Sequence, residues 1–439
     1  MTQRQMHLGL FLLGTGSHSA GWRHPGAVDT FQDFSAIQRI GASAERGLFD
    51  LIFMGDNLNA DPRAHPSYTL RLEPLTLLSA LATGTHRIGL GATVSTTYSD
   101  PFTVARAFAS LDHISGGRAA WNAVTTSNAA VGANFGTVHP DHARRYEMAG
   151  EFVDVVKGLW DCWDDDAVVA DKVGGVYIDP SKVHALRHAG EFFKVEGPLN
   201  IGRAPQGRPV VLQAGGSNAG LQLAARTADV VFSVVQDYDE ARASYADLKS
   251  RLPQFGRSAR DVTVLPGVMP VVGRTDREAR EKLNQLQAYI GTETAMAVLS
   301  ERFGHDFSGY ALDAPVPELA LPDTYHAFTR VLLAKARREQ MTLRDLYSLT
   351  AAARGHWVLC GSPETIADTL QTWFEGHAAD GFNIMPPYFH EGFDDFIDGV
   401  VPILQERGLF RTRYEGSTLR DHLGPVSYTH LTLPTIYSV

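Results

Sequence analysis

RIGLGATVSTTYSDPFTVARAFASLDHISGGRAAWNAV, residues 87–124, is the stretch that decides the fold. It opens on a short apolar run (87–94), passes through a segment of helical periodicity (102–114) and closes on a second apolar run (118–124). Strand, helix and strand in that order, with near-continuous apolar content in the strands, mark a parallel sheet buried on both faces.

Outward from this unit the pattern repeats. Toward the N-terminus stand LGLFL (8–12), a helix over about 30–46 that stops at Gly47, DLIFMG (50–55) and a helix over 72–83. Toward the C-terminus come a helix over about 144–160, PVVLQAG (209–215), a helix to Arg226, DVVFSVV (229–235) and a helix to about Leu252. VTVLPGVMPVV (262–272) is followed by a helix from about Asp276. GSPETIADTLQTWFE (361–375) is a helix with a capping serine and a proline in its first turn. GFNIMPP (381–387) is the eighth strand, and FDDFIDGVVPILQERG (393–408) the closing helix.

Eight strands, each followed by a helix, predict an α/β chain folded as a (β/α)8 TIM barrel, with a doubly wound open sheet as the alternative. Two segments, 164–208 and 291–355, are too long for ordinary connections and read as large irregular insertions into one domain spanning residues 1–425. The last stretch, VSYTHLTLPTIYSV (426–439), has no acidic or basic residue and no tie to a core. It reads as a non-native tail.

Composition narrows the function classes. Hydrophobic residues make up 44% and charged residues 20%, which supports a sizeable core. A net charge of −10 disfavours nucleic acid as the main partner. Two cysteines, Cys162 and Cys360, give no disulfide framework and point to a reduced, cytoplasmic setting. No stretch approaches the ~20 apolar residues of a membrane helix, and the first apolar run reads as a strand, not a signal segment.

In a TIM barrel the active site lies at the C-terminal ends of the strands. Strand two ends in Asp56, strand three runs through Thr93 into STTY, and strand four continues into VTTSN with Thr126 and Ser127. Strand five ends in QAGGSNAG (213–220), where Gly216 and Ser217 precede a helix. Small residues at such a turn leave backbone N–H groups free for an anion, with an ordinary helix cap as the plainer reading. The turn is not a dinucleotide fingerprint, since Ser217 replaces a required glycine. His142 and Tyr146 stand four apart at a helix start and share a face, suited to a phosphate or a polar ring edge or merely solvated. His18, in the first loop, is the candidate acid or base. His184 and His188 have a spacing that metals use, but without an acidic motif no metal is expected. Arg23, Arg63 and Arg71 are the cations available for an anionic substrate.

FMGD, the run STTYSDPFTVARAFASLDHISGGRAAWNAVTT, RYEMAGEFVDVVKGLWD, DPSKVHALRHAGEFFKVEGPLN, PVVLQAGGSNAGLQLAARTADVVF and the segment from DGFNIMPP to RDHLG together resemble the bacterial-luciferase-like flavin monooxygenases. The likeness spans about residues 6–424. It is strongest to the branch that holds the nitrilotriacetate monooxygenase oxygenase component (component A), with desulfurization and long-chain alkane monooxygenases. The resemblance implies reduced FMN and O₂ as reactants, a separate NADH:FMN reductase, a homodimer or homotetramer, and a small organic substrate such as an aminopolycarboxylate. It places Asp56 and Thr93 along the isoalloxazine, His142, Tyr146 and Ser217 at the ribityl phosphate, and Thr126, Ser127 and Gly216 close by. Where some relatives carry a histidine after the WNxVT strand this chain has Ser127, which removes an acid–base role there. The alternatives are a deazaflavin-dependent dehydrogenase on the same barrel and a non-catalytic flavin-binding protein.

Overall fold

The computed structural model describes residues 4–31, 33–60, 66–319, 327–353 and 355–424, so the tail 426–439 and Arg63 lie outside the described residues. Eight parallel strands form the barrel: β1 (His7–Phe11), β2 (Leu51–Met54), β3 (Gly89–Ser95), β4 (Ala119–Val124), β5 (Val210–Ala214), β6 (Val230–Ser233), β7 (Thr263–Val272) and β8 (Gly381–Ile384). Each pairs with the next, and β8 pairs back with β1, His7 opposite Gly381. That closure excludes the open doubly wound sheet. The helices on its outside include α1 (Phe34–Arg46), α2 (Pro74–Ala82), α3 (Pro101–Ser115), α4 (His142–Trp160), α5 (Asn218–Thr227), α6 (Tyr238–Arg251) and α7 (Asp276–Ala288). No helix among the described residues is long and apolar enough to cross a membrane.

Local chemistry sets the helix starts. The Asp100 carboxylate accepts from the Thr103 N–H, Pro101 occupies the first turn, and Gly116 ends α3 in the left-handed region at φ +67°. Along each strand the two faces divide the core. Leu8 and Leu10 of β1 and Ile52 and Met54 of β2 pack outward against helices, whereas Phe11, Leu51 and Phe53 point into the barrel. Inside, the Phe11, Phe53 and Phe232 rings meet at centroid distances of 5.1, 5.5 and 5.7 Å. At the opposite end from the strand C-termini, Leu419 of the short helix Leu419–Leu423 is fully buried in the same interior cluster and plugs the barrel floor.

Four expectations need correction. Residues Trp357–Gly361 form a ninth strand, parallel to the second half of β7, with Val268 opposite Trp357 and Val272 opposite Gly361. The β7 strand is ten residues long and outruns its barrel neighbours, so its second half pairs with this extra partner. The insertion 291–355 is helical where described: α8 (Thr292–Phe303), α9 (Ala327–Arg338) and α10 (Leu343–Ala352) bury Leu299, Phe303, Leu332, Leu333, Leu343 and Leu346 in a core of their own. The insertion 164–208 holds two small antiparallel hairpins, and the closing helix is broken by a π-turn at Phe396–Val400.

Candidate flavin site

The C-terminal ends of β2, β3, β4 and β5 and the first turns of α4 and α5 surround one cleft of about 490 Å³, a size typical of small-molecule sites. All eight residues expected to hold a cofactor line it: Asp56, Thr93, Thr126, Ser127, His142, Tyr146, Gly216 and Ser217. His18 does not line this cleft. It is fully buried in the loop after β1, where its N–H donates to the Pro387 carbonyl (3.2 Å) and its Nδ1 accepts from the Ala20 N–H (3.1 Å). An accepting Nδ1 puts the proton of the neutral ring on Nε2.

The inward face of β3 and β4 carries an ordered polar chain. Asn122 Nδ2 donates to Thr93 Oγ1 (2.8 Å), whose own proton goes to the Met54 carbonyl (2.7 Å). This direction fixes the amide, so Oδ1 of Asn122 is a buried acceptor with no partner among the described residues. Beyond the strand end, Thr126 adopts φ +48°, and its hydroxyl donates to Ser95 Oγ (2.7 Å). Arg145 holds that loop by donating to the carbonyls of Thr125 (3.2 Å) and Thr126 (2.7 Å).

At the α5 start, Ser217 Oγ accepts from the Gly220 N–H (3.1 Å), so Ser217 is the N-cap and keeps its hydroxyl proton for another acceptor. A Cβ on Gly216 would meet nothing within 4 Å, so this backbone faces open space in the cleft. A Cβ on Gly215 or Gly220 would lie 3.2 Å from the Tyr146 hydroxyl, which therefore sits directly over the turn. The His142 and Tyr146 rings stand 4.8 Å apart on one face of α4. On the opposite wall, burial raises the Asp56 carboxyl above its ordinary range, against the Asn57 N–H (2.8 Å) and the nearby Arg71. Arg71 is turned to the Gly55 and Ser67 carbonyls (2.9 and 2.7 Å) and fixes the exit of β2.

Sequence reasoning missed Arg145, a cation that lines the cleft, is 7% exposed, and has an Nε without a partner among the described residues. The signal was present: Arg145 is three residues from His142 and shares its helix face. Asn57 also lines the cleft unforeseen, while Ser95, Thr125 and Asn128 line it from the STTY and VTTSN stretches at the strand ends. His184 and His188 turn to different carboxylates, Asp164 (3.1 Å) and Glu151 (2.9 Å).

A closed barrel with helix-start N–H groups and a cation around one cleft at its strand C-termini has the parts of a cofactor-dependent enzyme. The chain matches the luciferase-like monooxygenase family over residues 6–380 and belongs to that family. It is 46% identical to the N-acetyl-S-(2-succino)cysteine monooxygenase of Bacillus subtilis (strain 168), the match covering 96% of this chain and 97% of the relative. It is 44% identical to the nitrilotriacetate monooxygenase component A of Aminobacter aminovorans, over 96% of each chain. Among solved structures, DmoA from Hyphomicrobium sulfonivorans is similar with a TM-score of 0.86 at 29% identity, covering 95% of this chain and 92% of that one. The protein is a flavin-dependent monooxygenase.

Proposed function

We propose that the chain is the oxygenase component of a two-component system that takes reduced FMN from a separate NADH:FMN reductase and uses O₂ to oxygenate a small polycarboxylate. The observation that carries this reading is the convergence of Asp56, Thr93, Thr126, Ser127, His142, Tyr146, Gly216 and Ser217 on one cleft. Arg145, Ser217, Tyr146 and the first N–H groups of α5 would hold the phosphate, because an anion at a helix start beside a buried guanidinium is doubly stabilised. Thr93 and Asp56 would border the ring.

Reduced FMN supplies the electrons by which one oxygen atom of O₂ enters the substrate and the other leaves as water. The protein's part is to exclude water, orient the substrate and hold a proton near the reacting centre. His18, with its proton on Nε2, is the candidate donor. A polycarboxylate is favoured because the Bacillus subtilis and Aminobacter aminovorans relatives are named for N-acetyl-S-(2-succino)cysteine and nitrilotriacetate. A homodimer or homotetramer in the cytoplasm completes the reading, with Cys162 and Cys360 unbridged.

The test is oxygen uptake and substrate mass with chemically or enzymatically reduced FMN across a panel of polycarboxylates, including nitrilotriacetate. Uptake coupled to a product heavier by one oxygen is the expected result. Hydride transfer with a deazaflavin and no oxygen uptake would establish the dehydrogenase alternative instead.

A further inference from the structure

Where β7 and β8 end, the inner wall of the barrel is not the row of branched apolar side chains usual in this fold. Gly267 of β7 stands opposite Asn383 of β8, and Asn383 stands opposite Gly9 of β1. A Cβ on Gly267 would lie 2.4 Å from His356 Nδ1, 2.8 Å from Phe232 Cε2 and 2.9 Å from Met385 Sδ, so His356 fills the space that this glycine leaves. His356 belongs to no barrel strand. It follows α10 and precedes the ninth strand, its N–H donates to the Ala353 carbonyl (2.9 Å), and Gln236 Nε2 holds the Gly355 carbonyl before it (2.9 Å). The second insertion thus delivers a buried imidazole into the barrel, stacked on Phe232 at 4.9 Å and 19°. Beside it Asn383 is 3% exposed, and its Oδ1 has no partner among the described residues, an opening that buried polar atoms keep for a ligand or water.

We propose that His356 is the specificity-determining residue at the substrate end of the site, its imidazole donating an N–H to a carboxylate of the substrate; this rests on the polycarboxylate reading above. The place fits. Phe232 continues through Phe53 and Phe11 to Gly55, where a Cβ would lie 3.1 Å from the Phe11 ring, and Gly55 precedes Asp56 on the flavin cleft. One aromatic floor therefore joins the cleft to His356, across the barrel from β3 and β4. The His18 loop borders the same end, since the Ser17 N–H donates to the Pro386 carbonyl (2.8 Å) just beyond Met385. The chemistry fits as well. Arg71 is turned to the Gly55 and Ser67 carbonyls, Arg23 to the Tyr289 carbonyl, and Arg145 serves the phosphate end. His356 is the group on this wall that can both donate a hydrogen bond and carry positive charge, and the face of Phe232 favours that charge.

The test is calorimetric binding to the full chain in excess oxidised FMN, with nitrilotriacetate, N-acetyl-S-(2-succino)cysteine and the methyl ester of each as probes. The unaltered protein, His356→Phe and His356→Gln are compared. The unaltered chain is expected to bind at least one acid more tightly than its ester. His356→Phe keeps a ring on Phe232 but has no N–H, so its affinity for that acid should fall about tenfold or more. Its affinity for the ester, its FMN dissociation constant and its melting temperature should stay the same. His356→Gln retains an N–H donor and should lose less. Unchanged acid binding by His356→Phe overturns this inference and leaves the polycarboxylate reading standing. Equal losses for acid, ester and FMN, or a His356→Gln no better than His356→Phe, overturn it in favour of a packing role. An unaltered chain that binds neither acid overturns the polycarboxylate reading itself, and this inference with it.

Discussion

Tyr146 packs its ring against His142 while its hydroxyl lies over the Gly215–Gly220 turn, so removing the oxygen tests the phosphate site with little disturbance of packing. Tyr146→Phe is expected to weaken reduced-FMN binding by about 1 kcal/mol, the usual loss for one neutral hydrogen bond, with the melting temperature unchanged. Ser217 serves two ends, since its oxygen caps α5 and its proton faces the cleft. Ser217→Gly keeps most of the cap and removes the donor, so it should also cost about 1 kcal/mol in flavin titrations, whereas Ser217→Ala adds a stability loss. Arg145→Gln removes a charged donor, and a loss of about 1.5–3 kcal/mol in FMN affinity is expected. Titrations in which all three variants match the unaltered protein would remove the phosphate from this end of the cleft.

At the level of elements, the strand N-termini share one device. Asp50, Asp229 and Asp380 each precede a strand and accept the N–H of the second residue of a neighbouring strand, from Leu8 (2.7 Å), Val211 (2.8 Å) and Val264 (3.0 Å) respectively. Burial alone would push these carboxyls up. The facing cations outweigh it and hold all three below the ordinary range: Arg411 and His7 for Asp50, Arg420 and Lys157 for Asp229, Lys249 and Arg4 for Asp380. Carboxyls with a depressed folded pKa contribute stability that is fully present above the unfolded value, near 4, and is lost as pH falls through the folded values. His422 adds to the same trend. Burial, then Arg411, lower its pKa to about 4, so the unfolded chain takes up a proton first as pH drops below about 6.5. Urea midpoints are therefore expected to decline from pH 7 toward pH 4 and to fall steeply below it. Asp229→Asn, which leaves Arg420 and Lys157 buried without their carboxylate, should cost about 3–5 kcal/mol and flatten the acid limb. A melting temperature within a degree of the unaltered protein would contradict the role of Asp229.

For the whole molecule, the barrel and its two insertions account for the described chain, and no second sheet of repeated βαβ units is present among the described residues. A nicotinamide-binding domain needs such units and a Gly-rich turn. The purified protein is accordingly expected to oxidise no NADH alone and to gain turnover when an unrelated FMN reductase is added, because free reduced FMN is the shared intermediate. Brisk NADH oxidation by the isolated chain, measured at 340 nm, would contradict the two-component reading. The long C-terminal path matters for stability as well. Leu419 in the barrel floor, Arg411 on Asp50 and Arg420 on Asp229 tie residues 411–420 to the strand entrances.

The eight barrel strands were all legible in the chain, because a parallel strand buried on both faces must be an apolar run wherever it stands, and helix starts announced themselves through local caps such as Asp100 and Ser217. The strand-end rule, the helix-face pair His142 and Tyr146 and the family resemblance together named eight residues that line one cleft. Contacts between distant positions were not legible. The ninth strand at Trp357–Gly361 exists because β7 outruns its neighbours, which no local pattern records. The helices of the second insertion bury against one another instead of the barrel, so their weaker periodicity read as irregular. Arg145 became a cleft residue, and Asn122 Oδ1 an unpaired acceptor, through the direction in which their neighbours' hydrogen bonds run. Sequence determined which segments are strands and helices, since those choices follow from nearest neighbours and burial. Only the tertiary structure decided closure, the floor plug and the partners of the buried charges, since these depend on groups up to 376 positions apart meeting.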